Sequence, residues 1–177
     1  MASAPRTTGL SIEGPSVLPI AILRVRHCDE PAVNALGEAF GIDWPTRPNT
    51  VAGRQAFSVL WLAPTEWMVT GKPPDETAAL AAKALGQALH HVADLSDGWA
   101  IFNIGGGHSR ELIARGCSLD LHPRAFPPDA CAQTLLGQCF AVLRRTDQDS
   151  AFLAMVEAPL AGHMQAWLAD AAAEFEL

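Results

Sequence analysis

Charged residues are scarce in this sequence. Asp, Glu, Lys and Arg account for 18% of its 177 residues, against about 25% in typical globular proteins. Hydrophobic residues account for 49%, so the chain has enough apolar surface to build a core and is not intrinsically disordered. Two explanations of the low charge remain open: an alanine-rich composition, or a face that a partner normally covers.

Long apolar runs are missing as well. The richest segment, residues 151–173, is interrupted by polar residues or proline at positions 157, 159, 163, 165 and 170. It therefore contains no stretch of about 18 apolar residues that could span a membrane. Residues 1–14 contain one arginine and no apolar segment of the kind found in signal peptides. We expect a cytoplasmic protein that binds no membrane.

Basic clusters and cysteine motifs are also absent. The net charge is −7, and the only close cations are two arginine pairs, at positions 24 and 26 and at 144 and 145. Such a chain is not expected to bind nucleic acid, whose phosphates require a clustered basic face. The four cysteines include no Cys-x-x-Cys pair, which favours reduced, mostly buried thiols. No metal is expected, because no compact zinc motif fits the spacing of Cys117, His122, Cys131 and Cys139.

Hydrophobic periodicity predicts alternating strands and helices. Strands are predicted at residues 19–27, 55–63, 66–71, 91–95, 99–104, 132–136, 139–145 and 152–156, with a loop at 47–53. Helices are predicted between the caps Asp29 and Gly41, and over residues 73–89, 109–115 and 159–175. These elements cover both halves of the chain.

The order of these elements indicates an α+β fold. The first half reads strand, helix, strand, strand, helix, strand, which is the βαββαβ order of a ferredoxin-like unit. The second half follows a similar order. We therefore predict two related halves within a single domain, residues 18–177, preceded by a flexible N-terminal arm, residues 1–17.

No set of residues assembles a nucleophile, a base and an orienting group. Residues 105–109 (GGGHS) lack the glycine and lysine spacing of phosphate-binding loops, so a tight strand-to-helix turn is favoured. No Gly-x-Ser-x-Gly motif surrounds Ser109, and a hydrolase acting through His108 and Ser109 is the weaker alternative. Residues 94–98 (DLSDG) are predicted to form a turn, in which Asp and Ser side chains bind nearby backbone.

The most distinctive segment is a proline-rich stretch at residues 116–136 (GCSLDLHPRAFPPDACAQTLL). Its prolines cannot donate backbone hydrogen bonds to a sheet, so the segment is predicted to cross a surface as a long ordered loop. Arg124 stands between Pro123 and Phe126, which combines a forked donor with rigid apolar anchors and suits docking to a partner. The alternative is a loop that only covers the domain's own sheet.

Four segments resemble one known family. They are residues 62–67 (LAPTEW), 92–99 (VADLSDGW), 116–128 (GCSLDLHPRAFPP) and 131–136 (CAQTLL). Together they resemble the gamma subunit of heterotetrameric sarcosine oxidase, over about residues 20–172. The resemblance implies two intertwined ferredoxin-like units, similar to the folate-binding aminomethyltransferase domain.

The resemblance also implies a function. Sarcosine oxidases of this family demethylate sarcosine oxidatively to glycine, release hydrogen peroxide and pass the one-carbon unit to tetrahydrofolate. FAD, FMN, NAD and tetrahydrofolate are held by the other subunits, and the gamma subunit is not known as a seat of chemistry. The alternative is a stand-alone folate-binding or aminomethyltransferase-like protein.

A gamma subunit is expected to dock directly on the alpha subunit, in a complex that also contains the beta and delta subunits. The proline-rich loop and two tryptophans are the expected contacts. We therefore expect the covered face on this loop, with seven interface residues: Trp67, Trp99, His122, Pro123, Arg124, Phe126 and Pro127.

Overall fold

The computed structural model describes residues 9–54, 56–146 and 151–175. The chain divides into two compact units, one of residues 18–97 and one formed by the residues before 18 and after 97. Each unit contains a five-stranded antiparallel sheet. None of the helices in the described part of the chain is long and apolar enough to cross a membrane.

The elements follow the predicted order, with two additional strands. The strands are β1 (Leu10–Ser16), β2 (Ile20–Val25), β3 (Val51–Arg54), β4 (Phe57–Ala63), β5 (Glu66–Thr70), β6 (His90–Asp94), β7 (Trp99–Gly106), β8 (Cys131–Leu136), β9 (Cys139–Arg145) and β10 (Phe152–Glu157). The helices are α1 (Glu30–Phe40), α2 (Pro74–Leu85), α3 (Ser109–Ala114) and α4 (Ala161–Ala172).

The two sheets share one strand arrangement. Their orders are β3-β4-β5-β2-β6 and β1-β7-β10-β9-β8. In the first sheet, the outer strand next to β2 is β6, which is the last strand of the same half of the chain. In the second sheet, the corresponding place beside β7 is taken by β1 from the N-terminus. The α+β fold of two intertwined ferredoxin-like halves is therefore confirmed.

Helix α1 begins and ends where the sequence predicts. The carboxylate of Asp29 accepts a hydrogen bond from the Ala32 N–H at 3.1 Å, which satisfies one backbone donor that the first turn leaves open. Gly41 adopts a left-handed conformation with φ of 67° and donates its N–H to the Gly37 carbonyl. Both caps expected at Asp29 and Gly41 are confirmed.

The core of the 18–97 unit lies between its sheet and the helices α1 and α2. Trp67 is at its centre: the ring of Trp44 lies 5.5 Å away, and the indole Nε1–H donates to the Pro45 carbonyl at 2.8 Å. Because the indole N–H is hydrogen-bonded, burial of Trp67 does not leave a polar donor without a partner. The principal apolar residues of this core are Ala21, Leu23, Val25, Leu36, Phe40, Val59, Trp67, Val69, Ala81 and Leu85.

In the other unit, α3 and α4 pack against one face of the sheet. Its core includes Phe102, Ile104, Leu112, Leu121, Phe126, Leu143, Phe152, Val156, Met164 and Leu168. Trp167 packs at the edge of this core against Gly116 and Gly137. A Cβ on Gly116 would collide with the Trp167 ring and would lie 2.8 Å from the Gly137 nitrogen. Only glycine fits at position 116 without displacement of the indole.

Two expectations are corrected by the strands β1 and β3. Residues 10–16 are not part of a flexible arm, because they pair with β7 and place Leu10 and Ile12 against the core; residues 1–8 of that arm lie outside the described residues. The predicted loop at residues 47–53 also contains part of a strand, since Val51–Arg54 pairs with β4. Both strands are short of apolar residues, which explains why periodicity did not indicate them.

We predict that Gly116→Ala destabilises the protein by about 1–3 kcal/mol, because the added methyl group overpacks the contact with Trp167. Gly162→Ala is the matched control. Gly162 lies in α4 with open space around it, so alanine there should stabilise the helix by up to about 1 kcal/mol. Urea unfolding of the two variants measures both effects, and equal stability of the two would contradict the packing argument.

Candidate subunit interface

The loop between α3 and β8 is held from inside by its own apolar side chains. Leu121 and Phe126 are each 5% exposed and belong to the core beneath the loop. The Phe126 ring stacks on Phe152 of β10, with 6.3 Å between ring centroids and an interplanar angle of 23°. The loop therefore covers its own sheet, as the alternative interpretation predicted, and it is ordered by this packing.

Hydrogen bonds wind the exposed part of the loop into compact turns. Asp120 Oδ1 accepts from the His122 N–H at 2.9 Å, and the His122 carbonyl accepts from the N–H groups of Ala125 and Phe126 at 2.8 Å each. The Arg124 N–H donates to His122 Nδ1 at 3.3 Å. These bonds fix the backbone, so that the exposed side chains of His122 and Arg124 start from defined positions.

Arg145 of β9 joins the end of the loop to the sheet. Its guanidinium Nη1 donates to the Phe126 carbonyl at 3.0 Å, and its backbone N–H donates to the Ala130 carbonyl at 3.2 Å. The first bond satisfies the Phe126 carbonyl, which lies outside the strands and has no ladder partner. The loop is thereby fastened at both its apolar centre and its C-terminal end.

The seven expected interface residues divide into three groups. His122 and Arg124 are exposed, whereas Trp99, Pro123 and Pro127 are half-buried. Trp67 is 1% exposed and Phe126 is 5% exposed. The expectation that these two rings form anchors for a partner is corrected, because each fills the core of its own unit.

Sequence reasoning missed an exposed apolar pair. Leu135 and Phe140 are 59% and 43% exposed and lie directly opposite each other on β8 and β9. The signal was present in the dipeptide Leu135-Leu136, since adjacent residues of a strand point to opposite faces. Only Leu136 can face the core, where it is fully buried.

Within residues 9–54, 56–146 and 151–175, the cysteine and acidic side chains do not gather into a metal site. Among the residues that the structure describes, no group of three or more His, Cys, Asp or Glu side chains could hold a metal ion. Cys117 Sγ lies 3.6 Å from the Thr134 hydroxyl. Burial raises the pKa of the Cys139 thiol, which disfavours the thiolate that metal binding or nucleophilic attack requires.

His108 makes structural contacts, and Ser109 is buried. His108 Nδ1 lies 3.0 Å from Glu111 Oε2, and its ring stacks on Phe175 at 5.1 Å between centroids. The guanidinium of Arg115 contacts the same Phe175 ring at 4.9 Å. Ser109 is fully buried, so its hydroxyl is not presented to a substrate in solution.

Residues 94–98 form the turn that the sequence predicts. Asp94 Oδ1 accepts hydrogen bonds from the Ser96 N–H at 2.9 Å and from the Ser96 hydroxyl at 2.7 Å. These bonds, the backbone one foremost, hold the pKa of the Asp94 carboxyl below its ordinary value. Ser96 Oγ in turn accepts the Ile20 N–H at 3.1 Å, which connects the turn to the start of β2.

We predict that Phe126→Ala costs about 3–5 kcal/mol of unfolding free energy, because it leaves a cavity against Phe152. Arg124→Ala, two residues away on the exposed side, should change stability by less than about 0.5 kcal/mol. Chemical denaturation of both variants measures the difference. A mild effect of Phe126→Ala would show that the loop is not held by this ring.

We also predict that Asp94→Ala lowers stability at neutral pH and that the loss disappears in acid. A carboxyl with a depressed pKa in the folded state stabilises the protein above its unfolded pKa, and the contribution is lost as the pH falls through the folded pKa. The difference from the parent should therefore shrink below about pH 4. Asp97→Ala, which removes an exposed carboxylate of the same turn, is the control, and unfolding midpoints at several pH values provide the measurement. A pH-independent difference for Asp94→Ala would contradict the assignment.

Comparisons with known proteins agree on one family. The model of the sarcosine oxidase, gamma subunit family matches residues 25–174. The sarcosine oxidase subunit gamma of Corynebacterium sp. (strain P-1) is 34% identical over 142 residues, which is 80% of this chain and 70% of that protein. The subunit gamma of an Arthrobacter species is 31% identical over the same share of each chain.

Solved structures show the same fold. A chain of the heterotetrameric sarcosine oxidase from Corynebacterium sp. U-96, in complex with pyrrole 2-carboxylate, superimposes with a TM-score of 0.83 at 27% identity. The match covers 95% of this chain and 86% of that chain. The glycine cleavage system aminomethyltransferase T of Bartonella henselae shares the fold alone, with a TM-score of 0.65 at 13% identity over 92% of this chain and 46% of its own. From the extent of the family match and the identity to its members, this chain belongs to the sarcosine oxidase gamma subunit family.

Proposed function

We propose that this chain is the gamma subunit of a heterotetrameric sarcosine oxidase and that it contributes structure to the complex. The carrying observation is the family match over residues 25–174, together with the superposition on a chain of a heterotetrameric sarcosine oxidase. In this assignment the complex demethylates sarcosine oxidatively to glycine, with tetrahydrofolate as the one-carbon acceptor. FAD, FMN, NAD and tetrahydrofolate belong to the other subunits.

The internal contacts of the reactive side chains support a structural role. Ser109 is buried, the Cys139 thiol has a raised pKa, and the Asp94 carboxylate accepts a hydrogen bond from the Ser96 N–H. General acid–base and nucleophilic catalysis both need such groups to face a substrate with a pKa near the working pH. The chemistry of the complex is therefore assigned to its other subunits.

The outer side of the proline-rich loop is the proposed docking surface for the alpha subunit. Here we define the loop surface as His122, Pro123, Arg124 and Pro127, with Trp99 as a further contact. The backbone beneath it is fixed by the Asp120 and Arg145 hydrogen bonds. A surface that is already ordered loses little conformational entropy on binding, and the Arg124 guanidinium offers a planar set of donors to a carboxylate or carbonyl.

The beta and delta subunits complete the proposed complex, which we place in the cytoplasm. All four cysteines carry thiols rather than disulfides, which is the usual state in a reducing compartment. A protein that folded in an oxidising compartment would more often use such residues as cross-links.

Co-expression tests the proposal. The chain is produced together with the alpha, beta and delta subunits of its own organism, and we expect a stable complex on gel filtration. The double variant His122→Ala/Arg124→Ala should weaken binding to the complex of the other three subunits by about tenfold or more, because it removes two contacts of the loop surface.

The matched control is Arg26→Ala/His27→Ala, which removes an exposed arginine and an exposed histidine from the other unit. It should bind like the parent chain, and both variants should melt close to the parent. Failure of the parent chain to co-purify with the other subunits would refute the assignment. Equal binding by both double variants would show that the loop surface is not the docking surface, although the assignment to the complex would stand.

A further inference from the structure

The hairpin formed by β8 and β9 exposes an apolar pair that the loop surface does not include. Leu135 is 59% exposed and Phe140 is 43% exposed, although both are large hydrophobic residues in regular strands. They face each other in the strand register, so their side chains lie on the same side of the sheet and in contact range. We call Leu135 and Phe140 the hairpin patch.

Three of the four outer strands in the described sheets, β1, β3 and β6, are protected in different ways against pairing with other chains. β1 carries Glu13 and Pro15, and its register with β7 shifts between Glu13 and Ser16. β6 carries the polar residues His90, His91 and Asp94, and β3 is only four residues long. Charge, proline, irregular register and short length are the devices by which natural sheets avoid unwanted edge contacts.

The sequence, register and length of β8 provide none of these four devices. Residues 130–143 (ACAQTLLGQCFAVL) contain no charged residue and no proline. The register with β9 is regular over the whole of Cys131–Leu136, and the strand is six residues long. Exposed apolar side chains such as Leu135 on this outer strand and Phe140 on the strand beside it are expected where another polypeptide covers the edge of a sheet.

The turn between β8 and β9 is fixed by its backbone conformation and by hydrogen bonds. The connecting residues Gly137 and Gln138 both have positive φ, 53° and 70°, as a tight two-residue hairpin turn requires. The Gly137 N–H donates to the Gly116 carbonyl at 3.1 Å, and His163 Nε2 lies 3.0 Å from the Gly137 carbonyl. The same turn is therefore bonded to the residue with which the proline-rich loop begins.

We propose that the hairpin patch is a docking surface for an apolar, uncharged segment of another subunit of the heterotetramer. The inference rests on the proposed function. Because the hairpin has no charge, a charged partner segment would lose hydration on docking without gaining a compensating contact. A complex of alpha, beta, gamma and delta subunits holds one copy of this chain, so the occupant is a different subunit.

The test uses the variant Leu135→Thr/Phe140→Thr. Threonine keeps a high strand propensity and removes most of the apolar surface, so the purified variant should melt within a few degrees of the parent. Binding to the complex of the alpha, beta and delta subunits should weaken by about tenfold or more. Val17→Thr/Leu89→Thr, which removes two other highly exposed apolar residues, should leave binding within about twofold.

Hydrogen exchange of the unmodified complex provides a readout that does not depend on a variant. Amides of residues 131–143 should exchange more slowly in the heterotetramer than in the isolated chain. Unchanged binding of Leu135→Thr/Phe140→Thr, or unchanged exchange of this segment on assembly, would overturn the inference while the proposed function stands. Loss of a dimer of the isolated chain in this variant, with normal assembly, would also overturn it and assign the patch to a second copy. If the parent chain does not assemble at all, the proposed function fails and the inference with it.

Discussion

The contact of Trp167 with Gly116 and Gly137 is the constraint on which both proposed surfaces depend. Trp167 belongs to α4, Gly116 begins the proline-rich loop, and Gly137 forms the turn between β8 and β9. The indole lies so close to both glycines that a Cβ at either position would displace it. One ring thus packs against both the start of the loop and the turn of the hairpin. The hydrogen bond from the Gly137 N–H to the Gly116 carbonyl joins these two segments directly.

The sequence predicts those parts of the fold that rest on local chemistry. The α1 caps Asp29 and Gly41 act through neighbouring backbone groups, so short-range patterns were sufficient to place them. β1 and β3 form for a different reason, since their partners β7 and β4 complete their hydrogen bonding. A strand of four residues, or one with only two inward apolar side chains, is too short to produce a periodic pattern in the sequence. Such a strand is recognised only from its pairing with a neighbouring strand in the structure.

In the candidate interface as well, local sequence features could be predicted, whereas features that depend on tertiary contacts could not. Proline content indicated the loop, because a chain rich in proline must leave the sheet. The predicted extent, residues 116–136, was too long, since Cys131–Leu136 forms β8. Composition does not reveal whether an aromatic ring points into the protein or away from it. Phe126 and Trp67 are as apolar as any interface anchor, yet Phe152 and the Pro45 carbonyl respectively hold them in their own cores. Sequence reasoning overlooked Leu135, although a pair of leucines in one strand requires an outward-facing member.

The scarcity of charge has two separate causes in this chain. Exposed alanines such as Ala82 and Ala166 on the outer sides of α2 and α4 raise the hydrophobic fraction without making an adhesive surface. The uncharged segment 130–143 is different, because it places Leu135 of the outer strand β8 and Phe140 of the adjacent strand β9 in solvent. An isolated protein gains nothing from this arrangement and risks association through it. A gamma subunit, which spends its functional life against other chains, has a physical reason to keep it.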